Sequence, residues 1–76
     1  MIEIETEDSV SENEAKSQWK DYDNVYTKRW YLAVPAALEQ TAKTLIQKNA
    51  ISHCTVLTWQ RNTNGTYTFW GLPGLS

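Results

Sequence analysis

The sequence has very few of the residues that build covalent or metal-bound frameworks. Of its 76 residues, one is a cysteine and one is a histidine. A single cysteine excludes a disulfide within the chain, and together the two residues are too few for a zinc site made by this chain alone. We therefore expect a fold that is held by an apolar core, without a metal or another cofactor.

Long apolar stretches are also missing. The longest one, residues 30–38, contains a proline, whereas a helix that spans a bilayer needs about 20 residues. The first five residues, Met-Ile-Glu-Ile-Glu, lack the positive and apolar regions of a secretory signal. These features, with a free cysteine that suits a reducing compartment, predict a cytoplasmic protein with no membrane partner.

Charge is unevenly distributed along the chain. The formal net charge is only -2, but residues 1–24 carry eight acidic and two basic side chains, and residues 25–76 carry one acidic and five basic side chains. Such asymmetry is typical of an interaction tail. The sequence predicts an acidic N-terminal arm, residues 1–26, followed by a βαββ domain, residues 27–76.

Two features give the predicted arm some local structure. Ile2 and Ile4 alternate with acidic residues, as in an edge strand, but the stretch is short and a frayed terminus is preferred. A helix is predicted over residues 10–22, because Ser11 and Glu14 have capping-box spacing. Steps of four, three and four then place one small and three aromatic side chains on one helix face: Ala15, Trp19, Tyr22 and Tyr26.

The next segments predict a strand followed by a helix. Residues 28–34 are apolar on both faces, which is typical of a central, covered strand. Pro35 is expected to begin a helix over residues 35–48, because its missing N–H suits the first helical position. Asn49 is expected in the left-handed conformation just after that helix.

Residues 53–61 and 66–71 predict a β-hairpin, for which two registers are possible. A two-residue turn would place Trp59 opposite Trp70, whereas a three-residue loop with a bulge at Gly65 would place Trp59 opposite Phe69. The bulged register is preferred because it brings four large apolar side chains to one face, each contributing about 1.5–3 kcal/mol when buried. Those side chains are Leu57, Trp59, Tyr67 and Phe69.

Combined, the elements predict an α+β fold with a small three-stranded sheet in the order strand, helix, strand, strand. One helix, residues 35–48, would pack on the Trp59 face after a right-handed crossover, and an acidic N-terminal helix or arm would precede the sheet. The second sheet face would be covered by that N-terminal helix or by another protein chain. This second face is expected to carry Cys54, Val56 and Trp70.

Residues with catalytic potential do not form a recognisable constellation. His53 and Cys54 are neighbours in a predicted strand, so their side chains point to opposite faces and make a poor base–nucleophile pair. Asp21 and Asp23, two residues apart, would not converge on a helix. We therefore expect neither an enzyme nor a small-molecule substrate.

The excess of aromatic and N-terminal acidic residues indicates a protein-binding module, such as an inhibitor or accessory factor of the kind that phages and other mobile elements encode. The acidic arm would steer the chain towards a basic surface, including one that normally holds nucleic acid, and exposed aromatic side chains would anchor it. The predicted partner-binding residues are Glu3, Glu5, Glu7, Asp8, Glu12, Glu14, Trp19, Asp21, Tyr22, Asp23 and Trp70.

The sequence is also compatible with two other functions. Aromatic side chains on the sheet beside Lys28, Arg29 and Arg61 could stack on single-stranded nucleic acid, although a pI of about 5.2 disfavours nucleic acid as a partner. The other alternative is a structural subunit in which an open sheet face pairs with a second copy of the chain.

Overall fold

A four-stranded mixed sheet with two helices forms the fold. The structure, a computed structural model, describes residues 1–71. The strands lie in the order β1 (Ile2–Ile4), β2 (Trp30–Pro35), β3 (Cys54–Arg61) and β4 (Tyr67–Trp70). The first three are parallel and β4 is antiparallel to β3. The predicted α+β class is confirmed, but the sheet has four strands rather than three. Residues 72–76 of the predicted βαββ domain lie outside the described residues.

The additional strand comes from the N-terminus, where the expectation of a frayed end is wrong. Ile2 lies beside Tyr31 and Ile4 lies beside Ala33 in the parallel ladder. The Tyr31 N–H donates to the carbonyl of Met1 at 2.9 Å, and the Glu5 N–H donates to the carbonyl of Ala33 at 2.8 Å. Pairing with β2 therefore satisfies backbone groups that the terminal segment could not satisfy alone.

The first helix, α1, covers residues 12–25, compared with the predicted 10–22. It consists of Glu12–Glu14, a π-helical segment Ala15–Trp19 and Lys20–Val25. The Glu14 N–H donates to the Ser11 side-chain oxygen at 3.2 Å, so the predicted cap is confirmed.

The second helix begins later than predicted. Pro35 is the last residue of β2, where it lies beside Trp59, and its ψ of 139° is extended rather than helical. A 3₁₀ turn, Ala36–Leu38, leads into α2, Glu39–Lys48. The left-handed conformation after α2 falls on Ala50, with φ of 54°, and not on Asn49, whose φ is -99°.

Both helices pack on the same face of the sheet. From β1 to β3, each strand is added to the sheet on the same side of the strand before it. Because both crossovers between these parallel strands are right-handed, the two connecting helices lie on the same face of the sheet. The prediction that residues 35–48 cover the Trp59 face is therefore wrong, whereas coverage of the Cys54 and Val56 face by the N-terminal helix is confirmed. The core between helices and sheet consists of Ala15, Trp19, Trp30, Leu32, Val34, Ala42 and Ile51.

The hairpin has the predicted bulged register. Trp59 lies opposite Phe69. The Asn62 N–H donates to the carbonyl of Thr66 at 2.8 Å, and the Gly65 N–H donates to the carbonyl of Asn62 at 3.0 Å. Gly65 has a φ of 86°, which the bulge requires and which a residue with a side chain rarely adopts.

The N-terminal segment is part of the same core and not a separate arm. The Trp19 indole N–H donates to a Glu5 side-chain oxygen at 3.2 Å, and the Trp59 indole N–H donates to the Glu5 carbonyl at 3.0 Å. The Tyr22 ring meets Trp30 edge to face, with 5.7 Å between the ring centroids. One acidic residue of the predicted arm thus connects the helix layer to the opposite face of the sheet.

Candidate protein-binding face

The face of the sheet away from the helices carries a groove. It lies where the parallel strands end, between the segment after β1, the turn after β2 and the β3–β4 hairpin, and its volume is about 840 Å³. Glu7 and Arg61 are its charged lining residues. The large apolar side chains that line it are Ile4, Pro35, Trp59, Tyr67 and Phe69.

Aromatic side chains from the hairpin form one wall of the groove. Because side chains alternate along a strand, the confirmed register places Trp59, Tyr67 and Phe69 on the same face. The rings of Trp59 and Tyr67 meet edge to face at 5.8 Å. Trp59 is half-buried, but Tyr67 and Phe69 are 51% and 39% exposed. The expectation that all four hairpin side chains are buried is therefore wrong for these two.

Local contacts hold the aromatic wall in position. The Trp59 indole N–H is fixed by the Glu5 carbonyl. Arg61 donates to the Tyr67 hydroxyl at 3.2 Å, and its guanidinium carbon lies 5.6 Å from the centre of the Tyr67 ring. A surface whose side chains are already ordered loses less conformational entropy when it binds a partner.

The predicted acidic residues are dispersed over the molecule. Glu7 lines the groove and Asp8 is exposed next to it. Glu12 and Asp21 lie on α1, which packs on the other face, and Glu12 forms ion pairs with Lys16 at 3.7 Å and Lys48 at 3.5 Å. Of these residues, Glu7 lines the groove together with the exposed Tyr67 and Phe69.

A second acidic group lies on the helix side of the sheet. Burial raises the pKa of the Glu14 carboxyl, and the nearby charges of Glu5 and Glu3 raise that pKa further. Burial and the same acidic neighbours, Glu3 foremost, also raise the pKa of the Tyr22 hydroxyl. These like charges repel one another and so oppose the fold locally.

Three of the predicted partner-binding residues are buried and are not available to a partner. Trp19 is fully buried, Glu5 is 5% exposed and Asp23 is 4% exposed. The burial of Trp19 agrees with the predicted helix periodicity, which placed it on the same face as Ala15. The spacing gave no sign that Glu5 and Asp23 would be buried as well. Trp70 is 43% exposed, but it points to the helix side and does not line the groove.

Asp23 has a structural function that its spacing did not indicate. Its carboxylate accepts hydrogen bonds from the Trp30 indole N–H at 3.1 Å and from the backbone N–H groups of Ser52 and His53 at 3.0 and 2.8 Å. Burial opposes ionisation, but these hydrogen bonds and the His53 imidazole outweigh it and lower the pKa of Asp23. Asp23 therefore connects α1 to the start of β3.

The neighbouring histidine and cysteine do not form a reactive pair. Burial, reinforced by the charge of Asp23, raises the pKa of the Cys54 thiol to about 12, so the thiol stays protonated and is a poor nucleophile. His53 Nδ1 lies 3.2 Å from Asp23 Oδ1. Within residues 1–71, no group of three His, Cys, Asp or Glu side chains is arranged to hold a metal ion.

Sequence reasoning identified the aromatic register but missed the groove. Trp59, Tyr67 and Phe69 were assigned to a helix-covered core. The signal that could have corrected this is the Ile2 and Ile4 alternation, because a parallel β1 places both crossover helices on the opposite face.

Among the described residues, no helix is long and apolar enough to cross a membrane. Comparison of the chain with protein-family models, with curated proteins and with solved structures gives no match.

Proposed function

We propose that this chain is a non-enzymatic protein-binding module, an inhibitor or accessory factor, and that it docks its partner on the helix-free sheet face. The observation that supports this most directly is the exposure of Tyr67 and Phe69 beside an ordered Trp59, on a groove that neither helix covers. Aromatic side chains in such clusters contribute much of the binding energy at protein interfaces.

The charges around the groove favour a partner with basic residues beside an apolar contact. Arg61 is engaged with the Tyr67 ring and hydroxyl, whereas Glu7 and Asp8 form no ion pair with any residue in the described part of the chain. The partner would insert an apolar side chain between Phe69 and Ile4 and place a lysine or arginine next to Glu7. Such charge complementarity mainly accelerates association and suppresses wrong partners.

The test uses paired variants that make the same chemical change inside and outside the groove. Phe69→Lys changes the groove, and Val25→Lys makes an equal change of charge at a side chain that is 71% exposed at the end of α1. Glu7→Lys and Asp21→Lys form a second pair. The immobilised wild type is used to capture proteins from a lysate of cells that make this chain naturally. Each captured protein is identified and purified, and its Kd is then measured for the wild type and for all four variants.

We expect the two groove variants to raise the Kd at least about tenfold, which corresponds to 1.4 kcal/mol, and the two control variants to leave it within about twofold. Association of the wild type should also slow as salt increases. Equal affinity of Phe69→Lys and Val25→Lys for the purified partner contradicts the proposal, as does the absence of any protein that prefers the wild type to Phe69→Lys.

Single-stranded nucleic acid is a second candidate ligand for the same face. Three aromatic side chains on an open sheet beside Arg61 have the composition of a base-stacking surface. Titration of intrinsic tryptophan fluorescence with an oligonucleotide at two salt concentrations separates the candidates. Salt-sensitive quenching that disappears in Trp59→Phe favours nucleic acid, whereas no quenching at low salt excludes it.

A further inference from the structure

The outer edge of β4 has the properties of a strand that pairs with another strand. Within residues 1–71, β3 is its one neighbour in the sheet. Exposed edge strands usually carry charges or prolines, or are very short, which prevents pairing with other chains. β4, Tyr-Thr-Phe-Trp, is four residues long and contains neither a charged residue nor a proline. β1, at the other edge, is only three residues long and contains Glu3.

The hairpin register shows which backbone groups face outward. In an antiparallel ladder, alternate residues exchange hydrogen bonds with the neighbouring strand. The bond from Asn62 N–H to the Thr66 carbonyl assigns Thr66 and Thr68 to the inner, β3-facing set. The N–H and C=O groups of Tyr67 and Phe69 therefore point away from β3, towards an edge at which residues 1–71 place no further strand.

We propose that two copies of this chain pair through their β4 edges, antiparallel and related by a two-fold axis that passes beside Thr68. In this register Tyr67 of each copy lies opposite Phe69 of the other, and the two Thr68 residues face each other. Each of the two Tyr67–Phe69 pairs exchanges two backbone hydrogen bonds, which gives four between the copies. Each pair also brings a tyrosine and a phenylalanine ring side by side on the groove face, and such cross-strand aromatic pairs are favourable.

Backbone geometry selects this register over its neighbours. A shift by one hydrogen-bonded pair in either direction brings Gly65 or Gly71 into the new ladder. Gly65 has a φ of 86° and Gly71 has a φ of 101°, and neither value is compatible with an extended strand. The register centred on Thr68 is the one that uses only the extended residues of β4.

Charge favours a second copy as the occupant of this edge. A chain with a net charge of -2 repels itself weakly overall, but residues 62–71, which form the seam and its flanks, contain no charged side chain. Exposed Trp70, on the helix side, would lie opposite Thr66 of the second copy. Tyr67 and Phe69 belong both to this edge and to the groove. Pairing along the edge extends the sheet in its plane and needs no other protein, so this inference does not require the proposed function.

Cysteine cross-linking tests the register directly. In an antiparallel ladder, non-hydrogen-bonded pairs such as the two Thr68 residues have Cα atoms about 4.5 Å apart, within the range that a disulfide spans. Thr68→Cys is therefore expected to form a covalent dimer under mild oxidation. Thr66→Cys, just before β4 and on the same face as Thr68, lies opposite Trp70 and should not form one. The wild type controls for the native Cys54.

Sedimentation of the full chain over a concentration series measures the association itself. The 8.8 kDa chain should convert to a species of twice that mass as concentration rises. Thr68→Lys places two like charges opposite each other at the axis, and we expect it to raise the dimer Kd at least about tenfold. Circular dichroism confirms that the variant is folded. A monomer at every concentration overturns the inference, and so does a dimer that cross-links equally through residues 66 and 68 or that Thr68→Lys does not weaken.

Discussion

Asp23 is the residue at which three separate segments of the chain meet. It lies on α1, and its hydrogen-bond donors come from β2 and from the residues that precede β3. A carboxylate in this position is stable only because all of these donors are present, since an unpaired buried charge is strongly unfavourable.

Replacing this carboxylate is expected to destabilise the fold. Asp23→Asn keeps the shape but removes the charge that strengthens the three hydrogen bonds, so the free energy of unfolding should fall by about 1.5–3 kcal/mol. Urea denaturation measures this change. Asp21→Asn, on an exposed carboxylate two residues away, is the control and should alter stability by less than about 0.5 kcal/mol.

The same residue gives stability a defined pH dependence. The pKa of Asp23 in the folded chain lies below its ordinary value of 3.8, so the stabilisation by its carboxylate is fully present above that value. It is lost as pH falls through the lower, folded-state pKa. The difference in unfolding free energy between the wild type and Asp23→Asn should therefore shrink in acid, and a difference that is constant with pH would contradict this assignment.

The Cys54 thiol is expected to be unreactive in the native protein. Its pKa of about 12 leaves almost no thiolate near neutral pH, and the side chain packs against the core. Alkylation by iodoacetamide at about pH 8 should be at least tenfold slower in the folded chain than in the chain unfolded in urea, where the thiol recovers its ordinary pKa of about 8.5. Equal rates would show that the thiol is accessible.

At the scale of the elements, the hairpin loop sets the register of β4 and with it the composition of the groove wall. Gly65 supplies a positive φ that lets the loop close with a bulge. A shift by one residue would move Tyr67 and Phe69 to the helix side and remove two aromatic rings from the groove.

Gly65→Ala should therefore destabilise the hairpin through its backbone alone. An added Cβ would meet no atom within 4 Å, so the expected loss of about 1–2 kcal/mol reflects only the cost of a positive φ. Thermal unfolding of the variant measures the loss. Ser17→Ala, which removes an exposed hydroxyl on α1, is the control, and a Gly65→Ala protein as stable as that control would refute the bulged conformation.

At the scale of the whole molecule, the N-terminal segment is a structural component as well as a source of negative charge. β1 completes the sheet, and Glu5 accepts the indole N–H groups of Trp19 and Trp59 on opposite sides of it. The acidic residues that remain at the surface are thereby held at fixed positions on the fold.

Deletion of residues 1–5 should lower the thermal midpoint substantially, because it removes a strand and leaves two indole N–H groups without acceptors. The control variant carries Glu3→Gln and Glu7→Gln, which remove two negative charges but retain β1. Its thermal midpoint should lie close to that of the wild type. If the thermal midpoint of the deletion variant is no lower than that of this control, residues 1–5 are not integrated into the sheet.

Local patterns in the sequence were sufficient for the features that depend on neighbouring residues. The Ser11 cap, the end of α2 at Lys48 and the register of Trp59 opposite Phe69 follow from capping, periodicity and turn chemistry, which act over a few positions. The same patterns assigned the α+β class.

The sheet face covered by the helices, and hence the groove, depended on contacts between distant parts of the chain. Ile2–Ile4 is too short to be stable as a strand alone, and it forms because β2 offers an edge about 30 residues away in sequence. Once β1 is parallel to β2, the handedness of both crossovers places α1 and α2 together and leaves Tyr67 and Phe69 uncovered. Alternation along a strand shows which side chains share a face, but it does not show which face a helix will cover, because that choice is made by the packing of the complete sheet.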